Sequence, residues 1–62
     1  MSKFLKVTDS YHCTLMINKD LVDLVEENLH GGGAKITSLK AGISWNVQET
    51  VIQIMKQMED EQ

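Results

Sequence analysis

Three side chains close together in the sequence have the chemistry of a hydrolytic set. Asp9, Ser10 and His12 supply a carboxylate, a hydroxyl and an imidazole within one short segment. A serine nucleophile also requires amide donors that stabilise an oxyanion, and no neighbouring segment supplies them. Because Asp and Ser favour turns and apolar alternations flank this segment, the sequence predicts a polar turn here and no catalytic site.

The candidate metal ligands are His12, Cys13 and His30. Cys13 is the only cysteine, so a disulfide within the chain is excluded. Structural zinc sites use four converging ligands, and the chain has no second spaced pair. We therefore expect neither a metal nor a cofactor. Cys13 alternates with Leu15 and Ile17, which predicts a small buried side chain; if exposed, it would be a reactive thiol.

Two other segments resemble ligand-binding sequences only superficially. Phosphate loops lead into a helix, whereas the glycines at 31–33 precede a predicted strand that contains Lys35. A flexible hairpin loop is favoured, although its tip at Gly32 could close over a partner or ligand. The carboxylates at 20, 23, 26 and 27 lack the spacing and glycine of a calcium loop, so they are expected to form a solvated face.

The elements that would position these residues follow from periodicity. Alternating apolar residues predict strands at 4–8 and 13–17, and a second hairpin at 34–39 and 43–47. Thr50 and Gln53 have the spacing of a capping box at the start of a C-terminal helix. The apolar side of that helix is predicted to consist of Val51, Ile52, Ile54, Met55 and Met58. It should fray within 59–62, and it is too short to be stable without packing on the sheet or on a partner.

Residues 19–30 fit two structures. Asn18 could cap a helix that ends at Gly31, and periodicity alone favours this helix. The alternative is a short turn at 18–20 followed by a strand over 22–27.

A resemblance to a known family bears on this alternative. The segments concerned are Ile17-Asn18-Lys19-Asp20, Leu24-Val25-Glu26-Glu27, Ala34-Lys35-Ile36-Thr37 and Val47-Gln48-Glu49-Thr50. Their order resembles that of the FlbD-like flagellar motility proteins and related short uncharacterised bacterial and phage proteins. The resemblance implies a strand over 22–27 and an accessory role in a larger system. We therefore predict an α+β fold, a curled antiparallel sheet of about five strands with one C-terminal α-helix packed on it.

Size and charge limit the function further. The 62 residues form one domain, 1–62, whose core is too small to be stable without a cross-link, a metal or a partner, so a homo-oligomer is expected. All basic residues are lysines and the net charge is −3, which argues against nucleic acid. No apolar run reaches the ~20 residues of a membrane span, so we expect no membrane contact and a cytoplasmic protein.

Two functions follow as expectations. The first is a non-catalytic, homo-oligomeric protein-interaction module that modulates a bacterial or phage system through a bacterial or host protein. The second is a protein that binds or sequesters a nucleotide or anionic metabolite between subunits. Trp45 is expected to be the central packing residue or, if exposed, a binding hot spot. The candidate interface or binding residues are Trp45, Met55, Met58, Gly32 and Lys35.

Overall fold

A computed structural model of the chain describes residues 3–59. In chain order the elements are β1 (Phe4–Thr8), β2 (Thr14–Asn18), a 3-10 turn (Lys19–Leu21), β3 (Leu24–Glu27), β4 (Ala34–Ser38), β5 (Ile43–Val47) and α1 (Val51–Glu59). Five antiparallel strands and one C-terminal helix confirm the predicted α+β class. No helix within 3–59 has the length and apolar character needed to cross a membrane.

The first hairpin pairs β1 with β2. Leu5 lies opposite Ile17 and Val7 opposite Leu15, so the apolar members of both strands share the face that packs inward. Asp9 closes the turn, because its Oδ1 accepts the backbone N–H groups of Tyr11 and Cys13, each at 2.9 Å. The alternation predicted for 4–8 is confirmed, and that predicted for 13–17 holds for Leu15 and Ile17, because β2 begins only at Thr14.

Within the ambiguous segment 19–30, residues 24–27 form a strand, which lies inside the strand over 22–27 that the resemblance implies. Asn18 caps only a single 3-10 turn, accepting the N–H of Asp20 on its side chain. The chain then extends, and β3 pairs with β4 along its whole length. Just before β3 begins, the N–H of Asp23 donates to the carbonyl of Thr37, and the N–H of Leu39 donates to Asp23 Oδ2. Pairing with β4 therefore prevails over the local preference for a helix.

The strands divide into two sheets, where we predicted one. β1 and β2 form the first sheet, and β3, β4 and β5 form the second, in that order. The link between them is a single bridge of Asp9 to Val47, beside a hydrogen bond from the Gln48 N–H to the Thr8 carbonyl (2.7 Å).

Side chains from the helical region explain why the sheet is interrupted at β1. Gln57 Nε2 donates to the carbonyl of Lys6 (2.8 Å) while Gln57 Oε1 accepts the N–H of Lys6 (2.9 Å). Glu49 Oε1 accepts the N–H of Thr8 (2.8 Å). The Gln57 and Glu49 side chains thus occupy the positions of a neighbouring strand, so the end of β5 meets the end of β1 only at the bridge of Val47 to Asp9.

The helix begins as the sequence predicts but buries a narrower side. Thr50 Oγ1 accepts the N–H of Gln53 and Gln53 Oε1 accepts the N–H of Thr50, which is the predicted capping box. Ile54 is fully buried, and Val51 and Met58 pack on the core. Ile52 and Met55, predicted on the apolar side, are exposed on one flank. Of the predicted frayed end, 60–62 lie outside the described residues.

The core between the layers is small. Its buried apolar residues are Leu5, Val7, Ile17, Ala34, Ile36, Val47 and Ile54. They come from both sheets and from the helix, so no element could keep its apolar face covered without the others. This small core agrees with the limit expected from chain length.

The Gln57 cap makes a testable contribution to stability. Replacing Gln57 with Met keeps the length of the side chain and removes both hydrogen bonds to β1. At about 1 kcal/mol each, and with water replacing part of the loss, the free energy of unfolding should fall by about 1–2 kcal/mol. Urea unfolding measures this free energy. Lys56→Met, on the exposed side of the same helix, should change it by less than about 0.5 kcal/mol. Equal effects of the two substitutions would show that the cap contributes nothing.

Candidate functional site

A polar cleft of ≈ 680 Å³ lies on the surface of the described chain. It lies between the turn of the first hairpin, the glycine loop and the end of β5. Its lining residues are Ser10, Asn28, His30, Gly31, Gly32, Asn46, Val47 and Gln48.

The glycine loop forms one wall of this polar cleft. The loop closes where the N–H of Asn28 donates to the carbonyl of Gly33 (3.1 Å), and Asn28 Nδ2 reaches Asn46 Oδ1 at 3.4 Å. Gly33 has a φ of +77°, and a Cβ at this position would overlap the carbonyl oxygen of Val47. The loop therefore reaches β5 only because residue 33 has no side chain.

The first hairpin turn forms the opposite wall. Gln48 Nε2 donates to the carbonyl of Asp9 (2.8 Å) and lies 3.2 Å from Nδ1 of His12. An amide donor facing Nδ1 fits the imidazole tautomer that carries its proton on Nε2. His12 has a φ of +68°, so the turn holds its backbone in the left-handed region.

The Ser/His/Asp set is organised as a turn. Asp9 Oδ1 is occupied by two backbone N–H groups, and the nitrogen of His12 that has a partner contacts Gln48. Within residues 3–59 no hydrogen bond joins Ser10 to His12. The predicted polar turn is confirmed, and its hydrogen bonds explain why these residue types occur there.

The burial predicted for Cys13 is wrong. β2 begins only at Thr14, so Cys13 belongs to the turn and is exposed. Its Sγ lies 3.9 Å from the carbonyl of Tyr11. The apparent alternation with Leu15 extended beyond the strand, and sequence periodicity cannot reveal where pairing stops.

Metal-ligating side chains do not converge in residues 3–59, where no cluster of three His, Cys, Asp or Glu could hold an ion. The acidic residues have structural neighbours instead. Asp23 accepts a backbone N–H, and Glu26 lies opposite Lys35 in the β3–β4 register.

The structure distributes the predicted site residues over separate surfaces. Gly32 lines the polar cleft, whereas Lys35 lies on the outward face of β4 beside a different depression near Leu39 and Ile43. Met55 is exposed on the flank of α1, and Met58 packs on the core.

Trp45 is half-buried and lies at the rim of the core. It packs against the core and also borders a shallow depression with Tyr11 and Leu15. It is therefore neither the central packing residue nor a fully exposed hot spot.

Sequence reasoning missed most of the cleft and one apolar surface. Asn28, Asn46 and Gln48 converge only through folding. Phe4 and Met16 are exposed on the outward face of the first hairpin. Their alternation with the inward residues of β1 and β2 was a signal that could have identified this surface.

No protein-family model, curated protein or solved structure matches the chain. The function is therefore argued from the residues and their geometry.

Proposed function

We propose that this chain is a non-catalytic, homo-oligomeric protein-interaction module that serves as an accessory or modulator of a larger bacterial or phage system. The observation that carries the proposal is the ratio of exposed to buried apolar side chains. Nine large apolar residues of the described chain are exposed, against seven apolar residues in the core. Exposed apolar side chains that lie side by side, as Phe4 and Met16 do on one face of the first hairpin, mark an interaction surface.

The energetics favour association. Burial of apolar surface contributes roughly 25 cal/mol per Å², and a domain of this size buries only about 60% of its unfolded surface. Stability for a chain of this length is expected to be a few kcal/mol. Burying even some of the exposed residues in an interface would add a substantial fraction to that value, which is how small domains without cross-links commonly persist.

The partner surface that we propose is the exposed flank of α1. Ile52 and Met55 lie one helical turn apart there. Ile52 also borders a depression together with Glu27 and Asn28 of the β3 side. An apolar flank beside the Glu27 carboxylate suits a protein partner that presents both apolar and basic side chains. The accessory role itself is the role that the family resemblance implies.

Light scattering coupled to size-exclusion chromatography tests whether the chain forms a homo-oligomer. The monomer mass is 7.0 kDa. A measured mass of twice this value or more at high concentration, falling on dilution, is the expected result. A folded monomer throughout a wide concentration range would remove the physical basis of the proposal.

A second candidate function is the binding of a small ligand, a nucleotide or anionic metabolite, between subunits. The polar cleft favours it, because amide side chains and the backbone of Gly31 and Gly32 line one concave surface. Lys35 lies outside this lining, so the contacts would come from amides and His30. Thermal-shift measurements with a nucleotide set test this function. A rise in melting temperature that Asn46→Ala removes is expected, and no shift with any nucleotide would count against it.

A further inference from the structure

Within residues 3–59, the outer edge of β2 presents backbone N–H and C=O groups that pair with no neighbouring strand. Lys6 and Thr8 direct their N–H and C=O groups toward Gln57, Glu49 and Gln48. Because these directions alternate along a strand, Leu5 and Val7 bond to the opposite residues Ile17 and Leu15.

It follows that Thr14, Met16 and Asn18 direct their backbone groups away from β1. The bond from the Lys19 N–H to the Lys3 carbonyl (2.8 Å) agrees with this alternation. Among residues 3–59 no strand pairs with this edge.

This edge also lacks the charges that usually prevent pairing between molecules. Residues 10–18 contain no Asp, Glu or Lys. Soluble proteins commonly protect an edge strand with charged side chains, proline or a covering element. β2 has neither charge nor proline, since the chain contains no proline at all.

Two of the other strand edges are protected. The Gln57 and Glu49 side chains cap β1. β3 carries Glu26 and Glu27, and charged side chains on an edge strand oppose pairing between molecules. At the outer edge of β5 the bridge to Asp9 occupies only Val47, so on that side residues 43–46 have no neighbouring strand within the described chain. β2 and β5 are therefore the two open edges, and β2 is the one beside the exposed side chains of Phe4 and Met16.

The outward face of the first hairpin supplies apolar contacts beside this edge. Phe4 is 44% exposed and Met16 is 56% exposed. Phe4 lies opposite Asn18, and Met16 lies opposite Lys6. Phe4 and Met16 are therefore diagonal neighbours on one face.

We propose that two copies of the chain pair antiparallel through β2, around a two-fold axis at Met16. This inference rests on the proposed function, whose homo-oligomer it specifies. Met16 would lie opposite Met16 of the second copy, with their backbone groups bonded to each other, and Thr14 would lie opposite Asn18. On the inward face Leu15 would lie opposite Ile17, which covers the half-buried Leu15.

Charge is compatible with this arrangement despite the net −3 of each chain. The nearest charged residue across the hairpin is Lys6, on β1. The two β1 strands would lie three strand spacings apart, about 14 Å. This separation exceeds the screening length of about 8 Å at physiological salt, so the lysines would repel only weakly.

The two-fold axis provides a sharp test, because one substitution places two identical side chains opposite each other. Met16→Lys and Met16→Glu should each weaken self-association by about tenfold or more, since like charges would meet at the axis. An equimolar mixture of the two variants should associate as a heterodimer with near wild-type affinity. Sedimentation equilibrium measures the dissociation constants of the two variants and of their mixture.

Ser44→Lys is the matched control, because it adds the same charge at an exposed strand position of the other sheet. It should leave the dissociation constant within about twofold, and circular dichroism should show every variant folded. An oligomeric wild type whose association neither Met16 variant changes would overturn this interface and leave the proposed function standing. A monomeric wild type would overturn both.

Discussion

Gly33→Ala is expected to lower the free energy of unfolding by about 2–4 kcal/mol. The methyl group would overlap the carbonyl oxygen of Val47, and the φ of +77° is unfavourable for any side chain. The left-handed backbone costs about 1 kcal/mol, and the displaced loop and strand add about 1–3 kcal/mol. A chain of this length has a stability of roughly 3–9 kcal/mol, so the loss is a large fraction of the total.

Gly32→Ala separates the cost of the left-handed backbone from the cost of the overlap with Val47. Gly32 has nearly the same φ, +76°, but no atom lies within 4 Å of a Cβ at that position. Its cost should be only the backbone term of about 1 kcal/mol. Urea unfolding followed by Trp45 fluorescence measures both variants. Equal losses would mean that the close approach of the glycine loop to β5 does not contribute to stability.

Ile54→Ala is expected to have the second large effect. Ile54 is the fully buried residue of α1, and it belongs to the core cluster that contains residues of both sheets. Truncation removes apolar burial and leaves a cavity, which costs about 2–5 kcal/mol. The melting temperature should fall by about 8 °C or more, at roughly 4–8 °C per kcal/mol for a domain of this size.

Ile52→Ala is its control, since it removes the same atoms from an exposed position two residues earlier on the helix. It should lower stability by less than about 1 kcal/mol. If the two substitutions were equally costly, the helix would pack through a different face from the one described.

Short-range patterns account for most of the fold that could be predicted. The alternation of Leu5 and Val7 predicts the face of β1, and Thr50 with Gln53 predicts the start of the helix. Each depends on residues a few positions apart, where backbone geometry determines which side chains are neighbours.

Long-range contacts account for what could not be predicted. The separation into two sheets depends on Gln57 reaching Lys6, 51 residues away in the chain. No local pattern distinguishes a glutamine that caps a strand from one that faces solvent. The exposure of Ile52 and Met55 was missed for a related reason, because helical periodicity gives the direction of an apolar side and not its covered width.

The candidate sites show the same division. The glycine run predicts a flexible loop whose tip at Gly32 could close over a partner or ligand, and in the structure Gly32 lines the polar cleft. Asn46 and Gln48 join it there only through the β4–β5 pairing. The free edge of β2 depends on which way each backbone group points, and that direction becomes known only when the partners of β1 are known.

Hydrogen exchange at Met16 tests the proposed pairing most directly. The amides of Leu15 and Ile17 point toward β1, so both should be protected at every concentration. The Met16 amide points to the free edge, so its protection should rise with protein concentration and fall on dilution. Rapid exchange at Met16 under all conditions, with Leu15 and Ile17 protected, would contradict pairing through β2.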